Sequence, residues 1–262
     1  MAIFFKTERQ ITVTKIIVLG ASGATGKHVA QQAVDAGHEV SVVVRTPSKL
    51  PASWRDKVKV HKADIATLSA NQLGALLGGH DVVVNTAGLV SDGDRFVSLV
   101  AHIVSGLETI EPANRPVAWF MAGAGLLDIG DTRRRGLELP LIKKTYWPHG
   151  ENFKRLEAST LDFRLLCPGP MVEGAAVGLE RLRVAIDRLP VQTPAAVKWL
   201  PDWLLVPIFA SRVSEMIIPY ADAAALMLNN LEPGNAMSRH RVGLALPVGM
   251  KGKKERWTAR AP

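Results

Sequence analysis

The chain is poor in cysteine, in long apolar runs and in clusters of metal-ligating side chains, and each scarcity excludes a class of protein. A single cysteine, Cys167, among 262 residues rules out an intrachain disulfide and fits a reducing compartment. The short apolar patch in the opening segment "MAIFFKTERQ" is too small for the core of a secretory signal peptide. The seven histidines show no H-x-x-x-H spacing, which argues against a dedicated metal site.

Acidic residues are outnumbered as well, with 24 Asp and Glu against 32 Lys and Arg. The excess cations collect in "RRR" at 133–135 and in "MKGKKERWTAR" at 250–260, with no nucleic-acid recognition motif beside them. We therefore expect solvated surface clusters, flexible tails at 1–13 and 251–262, and no nucleic-acid partner. The expected partner is a small molecule and the expected location is the cytoplasm, without a membrane span. A homo-oligomer stays open.

Between residues 15 and 170 the chain alternates strand-like and helix-like segments. Apolar stretches of strand length begin at Lys15, Glu39, Val58, Asp81, Pro116 and Asp162. Helical spacing of apolar residues separates them, as in "GKHVAQQAVDAG" at 26–37 and "RFVSLVAHIVSGLETI" at 95–110. Because parallel strands need long crossovers, this alternation predicts an α/β fold, a Rossmann-type doubly wound parallel sheet over residues 14–170.

The last helix of this alternation is predicted at "GENFKRLEAST", 150–160. After Pro170 the alternation is less regular. The segments "GLERLRVAIDRL" at 178–189 and "ADAAALMLNNLE" at 221–232 predict helices, and "HRVGLALP" at 240–247 predicts a late strand. We expect 171–250 to form a small substrate-covering region whose late strand and helix pack on the core. Residues 172–212 would be a lid with an apolar lining; the alternatives for Trp199–Phe209 are a dimer patch or a plain core segment.

The stretch "VLGASGATGKHVA" at 18–30 carries three glycines between a predicted strand and a predicted helix. Gly20, Gly23 and Gly26 have the spacing at which one glycine allows a sharp turn, a second lets the backbone approach a diphosphate and a third lets helix and sheet pack closely. The helix N-terminus then offers free N–H groups to the phosphates, and Ser22 and Thr25 add hydroxyl donors. The sequence therefore predicts a dinucleotide site; a purely structural glycine-rich turn is the alternative.

The end of the second predicted strand bears on which dinucleotide is bound. An acidic residue there would bind the ribose hydroxyls of NAD, but the sequence has "VVVRTPSKL", with Arg45, Thr46 and Lys49 and no carboxylate before Asp56. A guanidinium makes two charge-assisted bonds to a 2′-phosphate, which a carboxylate would repel. The expected cofactor is NADP, with NADPH preferred over NADH. The alternative is that Arg45 is simply a surface residue that follows a strand.

These motifs together resemble the short-chain dehydrogenase/reductase superfamily, in particular its atypical NAD(P)-binding, NmrA-like and flavin-reductase-like branch. The resemblance extends from Lys15 to about Pro247 and includes "KADI" at 62–65, "NTAGL" at 85–89 and "LEASTLDFRLLCPGPM" at 156–171. It implies that these segments pass the adenine, its ribose and phosphate, and the nicotinamide. The motif and the resemblance assign eighteen residues to the cofactor: Gly20, Ser22, Gly23, Ala24, Thr25, Gly26, Arg45, Thr46, Lys49, Asp64, Ile65, Thr86, Ala87, Gly88, Ala122, Gly123, Pro168 and Gly169.

The chain departs from this superfamily at its catalytic residues. The reductases use Tyr-x-x-x-Lys with a serine after the fifth strand, whereas here the strand ends "MAGAG" and Gly150 lies four residues after Tyr146. The remaining catalytic candidates are Tyr146 as a proton donor, His149, which aligns roughly with a lysine of isoflavone-reductase-like proteins, and Lys154. The alternatives are a packed aromatic for Tyr146 and a polar residue at a helix N-terminus for His149.

Two functions fit this pattern. The first is an NADPH-dependent oxidoreductase that transfers hydride to a small planar or carbonyl-type acceptor such as a quinone, a flavin or an enone, which needs little help from a protein acid. The second is a non-catalytic redox sensor of NmrA-like type that binds NADP and regulates a partner protein. The missing dyad is compatible with both.

Overall fold

The computed structural model describes residues 13–132 and 134–253 of the chain. Arg133 and nearly all of the two segments predicted to be flexible tails lie outside these ranges. Within them the chain forms one central sheet of eight strands, one pair of short strands and six α-helices.

The strands are β1 (Lys15–Leu19), β2 (Glu39–Val44), β3 (Val58–Lys62), β4 (Val82–Asn85), β5 (Val117–Met121), β6 (Phe163–Cys167), β7 (Met171–Val172), β8 (Arg183–Ile186), β9 (Ile218–Pro219) and β10 (Arg241–Ala245). The helices are α1 (Ala24–Asp35), α2 (Ala70–Leu77), α3 (Asp94–Glu108), α4 (Pro140–Glu157), α5 (Asp202–Arg212) and α6 (Tyr220–Leu228). The order in the large sheet is β3-β2-β1-β4-β5-β6-β10-β8, and β7 pairs with β9.

The chain reverses its direction of travel across the sheet after β3. From β1 it moves outward through β2 to β3, then returns to the other side of β1 and continues through β4, β5 and β6. All these neighbours are parallel, with Leu19 paired to Val43 on one side and to Asn85 on the other. The predicted doubly wound parallel sheet is confirmed, and the carboxyl ends of β1 and β4 form the crevice where this topology binds ligands.

Helices cover both faces of the sheet because its strands are apolar on both sides. Ile17 and Leu19 of β1 pack in a core with α2, α3, α4 and α5, whereas Ile16 and Val18 pack in a second core with α1 and α6. The alternation follows from the pleat, which turns successive side chains to opposite faces. Two layers of helices thus hold the carboxyl ends of the strands in fixed positions.

The prediction of a helix over 178–189 is wrong. The middle of that segment is the edge strand β8, which pairs antiparallel with β10, and Asp187 after it has a φ of +61°. The Asp187 carboxylate accepts hydrogen bonds from the backbone N–H and the Nε of Arg241, at 3.0 and 3.1 Å. The apolar residues of this segment have helical spacing, but spacing alone does not decide its structure. The edge of β10 offers backbone hydrogen-bond partners to a neighbouring strand, so the segment pairs with it as β8 instead of forming a helix.

Two helices also differ from expectation at their starts and interiors. Helix α4 begins at Pro140, ten residues before the predicted start at Gly150, and continues through Pro148. Residues 202–212 form one helix with Pro207 inside it rather than a segment broken by proline. In both helices the apolar contacts of one face offset the missing proline N–H. No helix in the described part of the chain is long and apolar enough to cross a membrane.

Candidate functional site

A cleft of about 620 Å³ lies at the carboxyl ends of β1, β4, β5 and β6. The loops after these four strands form one wall and the floor of the cleft, and α3, α4, α5 and residues 213–220 form the rest. The cleft is lined by Gly23, Ala24, Thr25, Thr86, Ala87, Gly88, Leu89, Val90, Phe96, Met121, Ala122, Gly123, Ala124, Gly125, Ile142, Tyr146, His149, Pro168, Gly169, Pro170, Met171, Val206, Phe209, Ala210, Val213, Met216 and Tyr220.

The glycine loop after β1 forms one end of the cleft. Gly20 has a φ of +81°, and a Cβ there would lie 2.8 Å from the backbone N of Ala87. A Cβ on Gly26 would overlap the Gly20 carbonyl oxygen, so this position admits only glycine if the loop keeps its shape. A Cβ on Gly23 would meet only that same oxygen within 4 Å, at 3.3 Å, so the space in front of the loop is open.

The N-terminus of α1 faces this open space. Gly23 is the N-cap and no side chain caps the helix; the first bond along the helix axis runs from the Lys27 N–H to the Gly23 carbonyl, at 3.0 Å. The N–H groups of Ala24, Thr25 and Gly26 are therefore the donors that a helix leaves free at its start. A diphosphate fits this end, because it accepts such bonds and is attracted by the positive end of the helix dipole.

The residues after β4 form hydrogen bonds that hold the glycine loop in position. The Thr86 hydroxyl and backbone N–H both donate to the Leu19 carbonyl, at 2.8 and 2.9 Å. The Asn85 side chain accepts a bond from the Ala87 N–H at 3.1 Å. Thr86, Ala87 and Gly88 line the cleft, and the Thr86 hydroxyl is bonded to the backbone of β1.

The predicted adenosine-binding residues lie beside the cleft rather than within its lining. Arg45, Thr46 and Lys49 follow β2 and are exposed, and the described residues provide no ion pair for Arg45 or Lys49. Asp64 follows β3 in a turn, where its Oδ1 accepts the Ala66 N–H at 3.1 Å. The strand register, Leu19 to Val43 and Val44 to Lys62, puts these residues at the same sheet edge as the glycine loop.

The other predicted cofactor residues divide between the cleft and its support. Ala122 and Gly123 after β5, and Pro168 and Gly169 after β6, line the cleft. Backbone bonds join the two loops, from the Ala122 N–H to the Leu166 carbonyl at 2.7 Å and from the Ala124 N–H to the Pro168 carbonyl at 2.8 Å. Gly20, Ser22, Gly26 and Ile65 are outside the lining, with Gly20 and Gly26 packed beneath it.

Tyr146 and His149 come together in the cleft, whereas Lys154 does not. The rings of Tyr146 and His149, one turn apart on α4, stack at 6.3 Å between centroids with 13° between planes. The Lys154 side chain is 70% exposed and its Nζ bonds Glu151 at 2.8 Å. A residue five positions after His149 points from a different side of the helix, so Lys154 stands apart from this pair.

His149 is the polar group that the cleft buries most deeply, at 8% exposure. Burial alone lowers its pKa from 6.5 to about 4, so the ring is neutral at pH 7. Its Nδ1 is buried without a hydrogen-bond partner among the described residues, and its ring packs at 89° to that of Phe96, with centroids 5.7 Å apart. His149 lies within α4 rather than at a helix N-terminus, which corrects the alternative considered from the sequence.

The apolar lining includes residues that sequence motifs did not single out. Phe96 of α3, Ile142 of α4 and Met216 before β9 converge on the cleft from separate elements. Their signal in the sequence was only an amphipathic periodicity, which predicts burial but not a ligand. From the predicted lid, Val206 and Phe209 line the cleft, while Trp199 and Trp203 are 80% and 69% exposed.

A polar contact flanks the glycine-loop end and was also missed. His28 of α1 lies 3.0 Å from a carboxylate oxygen of Glu173, and its ring stacks on Tyr220 at 6.0 Å between centroids. Tyr220 lines the cleft, and burial together with Glu173 raises its pKa. The residues involved lie on three separate elements, so no local motif marks them.

Other reactive groups lie away from the cleft. Cys167 is fully buried in β6 and burial raises its pKa, so little reactive thiolate forms there. In the described ranges no group of three or more His, Cys, Asp or Glu side chains could hold a metal ion.

Comparison with known proteins agrees with this geometry. The sequence model of the NAD(P)H-binding family matches residues 20–190. The uncharacterized protein YwnB of Bacillus subtilis (strain 168) is 26% identical over 170 residues, which cover 62% of this chain and 74% of YwnB.

Solved structures share the fold over nearly the whole chain. A protein named as a "putative epimerase" from Bacteroides thetaiotaomicron superposes with a TM-score of 0.67 at 23% identity, covering 94% of this chain and 100% of its own. A "putative NADH-flavin reductase" from Streptococcus pneumoniae TIGR4 gives 0.64 at 20% identity, covering 89% and 99%. The family match spans more than half of the chain and includes the glycine loop, so the protein belongs to the NAD(P)H-binding family of Rossmann-fold proteins.

Proposed function

We propose that the protein is an NADPH-dependent oxidoreductase that passes hydride to a small planar or carbonyl-type acceptor such as a quinone, a flavin or an enone. One observation carries this proposal: a single continuous cleft joins the free N–H groups at the start of α1 to an apolar compartment that contains Tyr146 and His149. A dinucleotide whose diphosphate rests on α1 would extend its nicotinamide toward that compartment.

The chain's own residues supply binding, orientation and shielding. The N–H groups of Ala24 and Thr25 bind the diphosphate, and the loops containing Gly123 and Gly169 shape the nicotinamide end. When bound, a reduced nicotinamide supplies the hydride. The apolar side chains of Phe96, Val206 and Phe209 restrict water around the acceptor, which favours hydride transfer over side reactions.

The preference for NADPH rests on the end of β2. Arg45 and Lys49 are exposed cations without an ion-pair partner among the described residues, beside the glycine loop. The segment between Arg45 and Asp56 has no carboxylate that would bind the ribose hydroxyls of NAD. The Streptococcus pneumoniae neighbour is named for NADH, so the nucleotide preference of this chain is to be measured directly, by titration with NADPH and NADH.

Tyr146 and His149 are the proposed catalytic residues. Lys154 is excluded because its side chain is exposed and forms an ion pair with Glu151. Tyr146 is 40% exposed, so water reaches the acceptor side of the cleft and can supply a proton after the hydride has moved. Conjugated acceptors need little acid catalysis, which suits a site without the Tyr-x-x-x-Lys dyad.

Oxidation of NADPH across a panel of quinones, flavins and enones tests the proposal. Steady loss of NADPH absorbance with at least one class supports the oxidoreductase. Tight NADPH binding without turnover of any member favours the second candidate, a sensor of NmrA-like type, which the missing dyad also fits. If neither NADPH nor NADH binds, both candidate functions are contradicted.

A further inference from the structure

The acceptor end of the cleft contains a buried imidazole whose hydrogen-bonding capacity the protein leaves unused. His149 is more than nine-tenths buried, and its Nδ1 has no partner in the described part of the chain. Native structures rarely leave buried polar groups unpaired without a functional reason. No hydrogen bond within the described residues uses the other ring nitrogen, Nε2, either, so whichever nitrogen faces the cleft is available to a ligand.

The surroundings of the ring determine which edge a ligand can reach. Phe96 packs against the ring at nearly a right angle, and Tyr146 stacks on a face. The Cδ2–Nε2 edge lies against Gly123, where a Cβ would be 3.3 Å from both atoms, and Gly123 itself lines the cleft. Nδ1 is thus on the sealed side of the ring and Nε2 is on the cleft side.

The protonation state follows from these contacts. The elements packed against the ring present Phe96, Gly123 and Tyr146, and none of these is an acidic or basic side chain. Burial without a charged neighbour keeps the imidazole neutral, with one N–H and one lone pair. Burying an N–H without an acceptor costs more free energy than burying a lone pair without a donor. The buried Nδ1 therefore carries the lone pair, and the proton is on Nε2.

We propose that neutral His149, protonated on Nε2, donates a hydrogen bond to the carbonyl oxygen of a conjugated acceptor, a quinone or an enone. This inference rests on the proposed oxidoreductase function and narrows its acceptor class. A flavin accepts the hydride at a ring nitrogen. A conjugated carbonyl instead collects negative charge on its oxygen, where a hydrogen bond from Nε2–H stabilises it.

The electron and proton balance is complete without an imidazolium. The acceptor gains a hydride at its conjugate carbon, where a C–H bond forms as the nicotinamide C4–H bond breaks, with oxidation of NADPH to NADP⁺. The displaced electron pair moves onto the carbonyl oxygen, which the Nε2–H bond stabilises. Water entering beside the half-exposed Tyr146 then protonates the enolate, and His149 keeps its proton throughout.

Nitrogen NMR tests the assignment independently of activity. Chemical shifts of ¹⁵N-labelled histidine distinguish Nε2–H, Nδ1–H and imidazolium, and the signal of His149 among the seven histidines is identified by its loss in His149→Gln. We expect the Nε2–H form from pH 6 to 8. An Nδ1–H or an imidazolium signal at pH 7 would overturn the inference and leave the proposed function standing.

Kinetics with 1,4-naphthoquinone and 2-cyclohexenone complete the test. His149→Phe keeps an aromatic ring but removes the donor, and we expect a 100- to 1,000-fold loss of kcat/KM, in line with removing one oxyanion donor. His149→Gln restores an N–H near the Nε2 position and should stay within tenfold of the wild type. NADPH affinity, measured by fluorescence, should be equal in all three proteins and reports correct folding.

Three kinetic results have distinct meanings. Equal rates for His149→Phe and the wild type overturn the inference alone. Equal losses in His149→Gln and His149→Phe, with a wild-type rate that falls as a histidine deprotonates, show that an imidazolium acid is required and also overturn it. No turnover of any acceptor by the wild type overturns the proposed function and this inference together.

Discussion

The carbonyl oxygen of Gly20 and the hydroxyl of Thr86 both lie against the same side of Gly26, where any other residue would carry its Cβ. A Cβ at residue 26 would overlap that oxygen and lie 2.7 Å from Thr86 Oγ1. The first turn of α1, the glycine loop and the end of β4 are therefore held in one arrangement.

We expect Gly26→Ala to displace the loop, because all the atoms it meets are backbone or tightly bonded. The free energy of unfolding should fall by about 2 kcal/mol, typical of overpacking, and NADPH affinity by about tenfold or more. Urea unfolding and fluorescence titration measure the two effects. Gly174→Ala is the control, since a Cβ there meets nothing within 4 Å. Unchanged NADPH affinity in Gly26→Ala would show that the loop does not bind the diphosphate.

Arg45→Ala should weaken NADPH binding by about ten- to a hundredfold, the range expected for losing charge-assisted bonds to a phosphate. NADH, which lacks the 2′-phosphate, should bind the variant as it binds the wild type. Arg55→Ala is the matched control, because Arg55 is also exposed but lines a depression with Lys15 and Gly78 at the amino ends of the strands. Equal losses for both nucleotides would refute a role for Arg45 in selecting NADPH.

His149 should make the protein less stable as the pH falls. Its pKa is about 4 when folded and near 6.5 when unfolded, so between these values the unfolded chain binds more protons and folding weakens. The stability is fully present above pH 6.5, and the loss by pH 4 is up to about 3 kcal/mol.

His149→Gln should therefore show a flatter profile of unfolding free energy from pH 7 to pH 4.5. The comparison of the two profiles cancels the contributions of carboxylates with lowered pKa values, such as Asp187 and Glu215, which both proteins share. Urea unfolding at several pH values gives the profiles. Parallel profiles would mean that His149 is not buried as a neutral ring.

Cys167 should be unreactive toward a thiol reagent in the folded protein. It is fully buried in β6, and burial raises its pKa, so little thiolate forms and the reagent cannot reach it. Reaction with Ellman's reagent should release no product under native conditions and one equivalent in denaturant. Rapid reaction of the native protein would show that β6 opens readily.

Residues 172–212 should resist proteolysis better when ligands fill the cleft. Val206 and Phe209 line the cleft, while Trp199 and Trp203 face solvent, so a ligand would hold α5 by its inner side. We expect cleavage within 172–212 to slow about tenfold or more with NADPH and an acceptor present, as binding stabilises the bound form. A cleavage rate that is unchanged by both ligands would argue against a lid.

The parallel core was predictable because its signals are local. The β-branched runs of β2 and β4 are buried on both faces, as continuous apolar strands should be. The course of α4 was harder to predict, since Pro148 and Gly150 suggest a break that tertiary contacts override. The strand β8 escaped prediction because its pairing partner β10 lies more than fifty residues away.

The candidate site, like the fold, was only partly predictable from the sequence. Its glycine loop is a consecutive motif, and Arg45 follows the strand that pairs directly with β1. The tie between His28 and Glu173 joins residues 145 positions apart, so no spacing rule could find it. The pairing of Tyr146 with His149 needed the helix to run through Pro148, which only the structure revealed.

By itself the sequence determined the doubly wound sheet and the dinucleotide loop, because backbone turns and strand burial depend on neighbouring residues. The tertiary structure decided what lines the rest of the cleft, because it brings Phe96, Phe209 and Met216 from three distant elements into the same lining as His149. The physical reason is burial, a collective property of packed elements, which converts an ordinary histidine into a neutral ring with a sealed nitrogen.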